Sequence, residues 1–367
     1  MDTAGHVLEA ERGVVSRARL SGPRSAVGAS VGPQPVCLYD KADLPGGPFA
    51  DEEIATVQAL VFTRPGVVEV LDVDEPEVGE DEVLVDVAAS GICGSELHGI
   101  QTAGFRQPPL VMGHEFAGTT ADGRRVTVNP IVDCGACDLC RQGLTQVCRK
   151  RSIVGIHRPG AFAERVAVPR RLLHDLPAGL SWEAAAVIEP LANAVHVWAL
   201  AGRPAGARVG VIGAGPIGLV CLEVARRGGA GHLAVADLAP ERLAMAGRLG
   251  AHETGPALEG ELDVIVDAVG LPATHRDSVS RLRPGGTAVW IGLMGDDAAF
   301  ESTELIRQEK RVLGSFAYTD AEFTEAVALA ETCELPWVRS FPLGDGAAIF
   351  TELMHGRADV VKALLRP

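Results

Sequence analysis

Three stretches hold residues whose types and spacing could do chemistry. In ASGICGSELHGI, residues 89–100, a thiol, a hydroxyl, a carboxylate and an imidazole (Cys93, Ser95, Glu96 and His98) fall within six positions beside glycines. That set suits a metal site or a covalent active site, or belongs to an ordinary polar loop. In DCGACDLCRQGLTQVCRK, Cys134, Cys137, Cys140 and Cys148 follow a C-x2-C-x2-C-x7-C pattern. Four thiolates so close in sequence can close a tetrahedral shell around a structural zinc. A four-Cys iron–sulfur cluster is the alternative, since its ligands are also closely spaced thiolates.

The third stretch, VIGAGPIG, places Gly213, Gly215 and Gly218 in G-x-G-x-x-G spacing, with Pro216 and Ile217 between the last two glycines. It follows an apolar strand, RVGVI, and opens an apolar helix, LVCLEVA. Asp237 comes nineteen residues past Gly218, at the end of the next strand, HLAVAD. This context turns a weak triplet into a dinucleotide-binding fingerprint. Gly213 permits the tight turn, Gly215 lets the backbone approach a pyrophosphate, and Gly218 lets helix and strand pack closely. The helix N-terminus offers unpaired N–H groups to the anion. Asp237 accepts from the adenosine ribose and repels a 2′-phosphate, so NAD is favoured over NADP; Arg242 weakens that preference.

The elements around these stretches divide the chain. Its 367 residues suggest about two domains. Residues 1–56 are rich in Gly, Pro, Ala and Ser without a sustained period, and read as a flexible arm. A start placed too far upstream is the alternative, since Met112 is the next methionine after Met1. From VQALVF to about residue 170, short alternating runs predict a mostly β domain, with Val83, Val85 and Val87 alternating with Leu84, Asp86 and Ala88. SWEAAAVIEPLANAVHVWALAG predicts helix, capped by Ser181 and interrupted or restarted at Pro190. Repeated β-α-β order then predicts a parallel, doubly wound sheet, with LDVIVDAVG and GGTAVWIGL as buried strands. Cys221 and Cys333 read as packing residues in helices; Cys37 is isolated.

The net charge of −15 argues against nucleic-acid and anionic-membrane partners. No apolar run is long enough to span a bilayer, and no secretory signal is visible. The expected compartment is the cytoplasm, where clustered cysteines bind metal rather than pair.

With these motifs in place, the chain from about Val57 to Pro367 resembles the zinc-dependent medium-chain dehydrogenases of the alcohol dehydrogenase superfamily. GICGSELH, GHEFAG, the four-Cys lobe, IEPLANAVH and GAGPIG occur in the family's order. The EPL form of the fourth motif is most similar to the polyol and sorbitol branch, with the threonine dehydrogenase branch a near neighbour. The resemblance implies a GroES-like β-barrel catalytic domain over 57–190, a Rossmann domain over 191–316, and a return to the catalytic domain over 317–367, with the active site in the cleft. It implies Cys93, His114 and Glu189 as ligands of a catalytic zinc and the four-Cys lobe as holder of a second. It implies Ser95 and His98 as a proton relay and Glu115 as a carboxylate that tunes the metal. Glu96 stands where the family more often has Asp. The expected function is NAD-dependent interconversion of a secondary alcohol (polyol, sugar or cyclitol) and its ketone, by a homodimer or homotetramer. Threonine-type oxidation and a non-catalytic dinucleotide-binding protein are the alternatives. One departure is that only TGPALEGE separates GRLGAHE from LDVIVDAVG, so the third crossover is expected to lack a proper helix and to leave the adenine side open.

Overall fold

A computed structural model describes residues 55–101, 104, 106–295, 297, 301–356 and 360–367. Most of the N-terminal arm, Cys37 included, lies outside the described residues. Six parallel strands form one sheet, in the order Glu253–Gly255, His232–Ala236, Arg208–Ile212, Leu262–Asp267, Leu282–Trp290 and Arg311–Gly314. Its central strands are near-continuous apolar runs because chain covers both faces. The order reverses between Arg208–Ile212 and Leu262–Asp267, which opens a crevice at their C-terminal ends. Gly213 is the first residue beyond that edge.

The crossover from Glu253–Gly255 to Leu262–Asp267 spans three inter-strand spacings, about 14 Å. Residues 256–261 make it without a helix, as the short segment predicts. Leu258 does the covering instead. It is buried against Ile212, Leu262 and Ile265, and the sheet residues it meets include the small Ala234 and Ala236. A groove of about 500 Å³ stays open beside it, lined by His252, Thr254, Pro256 and Glu259 among others.

The remaining strands are mostly antiparallel. One sheet runs Leu173–Asp175, Arg125–Val128, Glu115–Thr120, Glu82–Gly91, Lys362–Arg366, Val338–Pro342, with Arg165–Pro169 also paired to Glu82–Gly91. Val85 and Val87 are buried in it, and Val83 is half-buried. The last strand thus lies beside Glu82–Gly91, the strand that leads into Cys93. Thr56–Arg64, Val67–Asp74 and Leu110–Val111 form a separate three-stranded sheet.

Ser181 caps the helix Trp182–Ala186, its hydroxyl accepting from the Ala184 N–H at 3.1 Å. The helix breaks at Val187 and restarts as Ile188–Leu200. Pro190 sits in the new first turn, where its missing N–H costs nothing. Val195 and Trp198 of this helix share one apolar cluster with Val209, Leu222 and Phe323. At about 1.5–3 kcal/mol for each fully buried large apolar side chain, such packing fixes the helix firmly. It therefore carries Glu189 on a rigid support. Cys221 is buried in the helix Pro216–Arg227, as expected. Cys333 is not helical: the helix Asp320–Ala330 has ended, and the chain is already turning toward Pro336. Among the described residues, no helix is long and apolar enough to cross a membrane.

Candidate active site

Strand Glu82–Gly91 delivers Cys93 to the start of a short helix, Gly94–Gly99. Glu96, fully buried one turn on, accepts from the backbone N–H of Cys93 and of Gly113, both at 3.0 Å. The same carboxylate meets His114 Nδ1 at 3.0 Å. With Nδ1 committed as donor to Glu96, Nε2 is the free ligand atom of His114. Glu96 is therefore the clasp that joins the two proposed metal loops, a role its position in the sequence does not reveal. Burial pushes the Glu96 carboxyl up, but His114, Arg106 and the Cys93 amide hold it below the ordinary value. Burial disfavours a charged His114, yet Glu96 and Cys93 hold its proton well above the ordinary value. Surroundings that hold a proton so firmly also favour a metal cation.

Potential ligand atoms of Cys93, His114 and Glu115 all lie within 4.8 Å of one another. Glu189 is outside that set. Its Oε1 accepts from the Tyr318 hydroxyl at 2.8 Å and from Asn193 Nδ2 at 3.2 Å. Burial and the nearby Glu115 push its carboxyl up to about 7. Tyr318 is fully buried, and burial with the Glu189 charge drives its hydroxyl well above the ordinary value. Ala317 just before it takes a left-handed φ of 52°; that conformation costs a non-glycine residue roughly 1 kcal/mol.

Glu115 is paired with Lys362, and both are buried. Lys362 Nζ also donates to the Ile92 carbonyl at 2.9 Å. The pairing depends on Gly91, which lies between them: a Cβ there would collide with the Glu115 carboxylate and come 2.9 Å from Lys362 Cε. With a dication bound, Cys93 as thiolate, Glu96, Glu115 and Glu189 would present four negative charges against two positive ones on Arg106 and Lys362, with His114 neutral. Without it, the proton held on His114 and the raised Glu189 carboxyl take up part of that excess.

Ser95 Oγ donates to Cys93 Sγ at 3.3 Å and accepts from Arg106 Nη2 at 3.1 Å. His98 is exposed, and no described hydrogen bond joins it to Ser95.

In the lobe, ligand atoms of Cys134, Cys137, Cys140 and Cys148 gather within 4.8 Å. Three sulfur separations are 3.9, 3.5 and 3.8 Å. Zn–S bonds of about 2.3 Å at tetrahedral angles require about 3.8 Å. The geometry thus fits one ion, whereas an iron–sulfur cluster would wedge its own sulfides between the thiolates. Backbone N–H groups of Cys140 and Arg149 draw Cys137 down to about 6, and burial with the neighbouring thiols pushes Cys140 up to about 12.

The glycine turn has the expected form. Gly213 adopts a φ of 93°, Gly215 caps the helix Pro216–Arg227, and a Cβ on Gly218 would run into the Gly213 carbonyl. Pro216 and Ile217 form the helix's first turn. Asp237 turns back on this loop: Oδ2 accepts from Ala214 N–H at 2.7 Å and Oδ1 from Ala239 N–H at 2.8 Å. Arg242 Nη1 stands 4.0 Å from Asp237 Oδ2. Sequence reading missed Arg106, Tyr318 and Lys362. Only Lys362 left a signal, as a charged residue heading the buried run KALLR.

Comparison with known proteins agrees with this geometry. The alcohol dehydrogenase GroES-like domain family matches residues 79–178, and the zinc-binding dehydrogenase family matches residues 216–332. L-galactonate-5-dehydrogenase of Escherichia coli (strain K12) is 30% identical over 344 residues, 85% of this chain and 99% of that protein. L-threonine 3-dehydrogenase of Alteromonas mediterranea is 31% identical over 262 residues, 64% of this chain and 76% of that protein. The crystal structure of a zinc-binding dehydrogenase from Sinorhizobium meliloti 1021 bound to NADP superposes with a TM-score of 0.79 at 30% identity, covering 85% of this chain and 100% of that one. A GroES-like part, a parallel nucleotide-type sheet and full-length relatives converge on one assignment: the chain belongs to the zinc-dependent medium-chain alcohol dehydrogenases and is an oxidoreductase.

Proposed function

We propose that this protein interconverts a secondary alcohol of a polyol, sugar or cyclitol and its ketone, with zinc and NAD. The observation that carries the reading is the gathering of Cys93, His114 and Glu115 ligand atoms within 4.8 Å of one another, with the buried Glu189 carboxyl beside them. Cys93, His114 and Glu189 would hold the ion, with Glu115 as a further carboxylate close to Cys93 and His114. Bound zinc supplies Lewis acidity to the substrate hydroxyl, and bound NAD supplies the hydride acceptor. Ser95 would take the hydroxyl proton and pass its own on toward His98, whose exposure suits the last member of a relay. Alcohol and NAD⁺ become ketone, NADH and one proton. The four-Cys lobe holds a structural zinc.

The relatives support both a sugar-acid and a threonine-type substrate, so amino-alcohol oxidation is the second reading. Turnover of a panel of polyols, sugars and amino alcohols with NAD and with NADP separates them. Activity confined to amino alcohols would overturn the polyol reading, and activity confined to NADP would overturn the role given to Asp237. The family neighbour bound to NADP makes the cofactor arm of that test a real one. Gly218→Ala is expected to raise the KM for NAD about tenfold or more, roughly 1.4 kcal/mol, since the new methyl displaces the Gly213 carbonyl. An unchanged KM for NAD would remove the glycine turn from the cofactor site. Leu293, Met294 and Ile306 are exposed near the open edge strand Arg311–Gly314, which supports a homo-oligomer built on that edge.

A further inference from the structure

Arg106 is the largest of the fully buried side chains. A guanidinium taken wholly out of water is costly unless its hydrogen bonds and charge are answered. Its charge is answered by Glu96 and Cys93. Two of its nitrogens meet Ser95: Nη1 donates to the Ser95 carbonyl at 2.7 Å and Nη2 to Ser95 Oγ at 3.1 Å. A clasp for the loop would need only the carbonyl. The second bond falls on the one hydroxyl that the proposed relay uses.

We propose that Arg106 is a positioning residue that fixes the Ser95 oxygen where it can take the substrate's proton. A serine hydroxyl has one proton and two lone pairs. In this structure the proton points to Cys93 Sγ and one lone pair is taken by Arg106. Only one lone pair is left, and two fixed bonds set its direction. A serine free of such bonds samples three staggered positions. Arg106 also closes an exit, since a guanidinium accepts no proton. A proton arriving on Ser95 from the substrate hydroxyl displaces the serine's own proton, which leaves once the O–H turns from Cys93 Sγ toward the next member of the relay while Arg106 keeps the oxygen in place. No charge accumulates on Ser95, and the alcohol's hydride goes to nicotinamide as before. The fixed positive charge favours the oxygen while its proton is in transit.

The inference rests on the relay reading, and the experiment separates the two. Arg106→Gln, Arg106→Lys, Ser95→Ala and the double variant Arg106→Gln/Ser95→Ala are compared as purified zinc-loaded proteins with NAD and the best alcohol of the panel. Arg106→Gln is expected to lower kcat about 10- to 100-fold, in the range of a mispositioned proton-transfer group, with KM for the alcohol nearly unchanged. Its solvent deuterium isotope effect on kcat is expected to rise and both zincs to be retained, while the melting temperature falls because Glu96 loses a buried charge partner. Arg106→Lys keeps the charge without the fork and falls between wild type and Arg106→Gln. In the Ser95→Ala background, Arg106→Gln is expected to cost less than about twofold, because the two residues act as a unit. Three results overturn the role of Arg106: an unchanged kcat, an equal cost in the Ser95→Ala background, or loss of the cleft zinc in both the Gln and Lys variants. Full turnover by Ser95→Ala would instead overturn the relay, and Arg106 with it.

Discussion

Cys93→Ser is expected to lower the zinc content from two ions per chain to one and to reduce turnover about 10³-fold or more. The two clusters that set the higher count share no residue. Serine is close in size to cysteine, so the short helix Gly94–Gly99 keeps its Glu96 clasp. It does not ionise near neutral pH, and its neutral oxygen is a poor ligand beside a thiolate. The variant offers a dication one negative charge fewer. Loss of the Lewis acid removes several kcal/mol of transition-state stabilisation, and about 4 kcal/mol is a thousandfold. The control is Cys140→Ser, which removes a lobe thiolate and is expected to leave the cleft ion in place. Metal analysis and steady-state rates on both variants decide the matter. Two zincs and near-native turnover in Cys93→Ser would sink the assignment of this residue as a ligand.

Features encoded within a few residues were legible in the sequence. The four-Cys lobe needs only its own loop, the glycine turn its flanking strand and helix, and the Ser181 cap one helical turn. The missing helix in the third crossover was legible from chain length alone, because six residues cannot hold a helix and also span three inter-strand spacings. The opening loop was legible only in part. Neighbours on a helix diverge by about 100° per residue, so Glu96 turns inward while His98, two positions on, faces out. Types and spacing named both residues but could not say which would touch His114. Contacts that cross the fold left almost no local trace. Tyr318 reaches Glu189 across 129 positions, and Arg106 reaches Ser95 from the far side of the loop. The family resemblance picked out His114 and Glu189, which spacing alone did not, yet it did not say that Asp237 already spends both oxygens on backbone N–H groups.

Lys362→Met is expected to destabilise the protein by about 3–5 kcal/mol, the cost of stranding one member of a buried ion pair. Lys362 and Glu115 have side-chain exposures of 1% and 2%, so water cannot replace the lost partner. The strand register explains why the two meet. Gly91 pairs with Glu115 on one side and with Leu364 on the other, and its missing side chain lets the Lys362 stem reach across. Methionine keeps most of the stem's length and apolar contacts, so the loss reports charge rather than a cavity. Without the ammonium, Glu115 must either bind a proton or swing onto the metal, and Glu189 then faces a different neighbour. The second arm is the double variant Lys362→Met/Glu115→Gln, which removes both charges and is expected to recover most of the loss. Urea unfolding of the zinc-loaded proteins measures each term. A Lys362→Met variant within about 1 kcal/mol of wild type would mean that the pair is not buried as drawn, since that is the size of an exposed salt bridge. A double variant as unstable as the single would mean that Lys362 acts through the Ile92 carbonyl and the strand end, and not through the carboxylate beside the metal site.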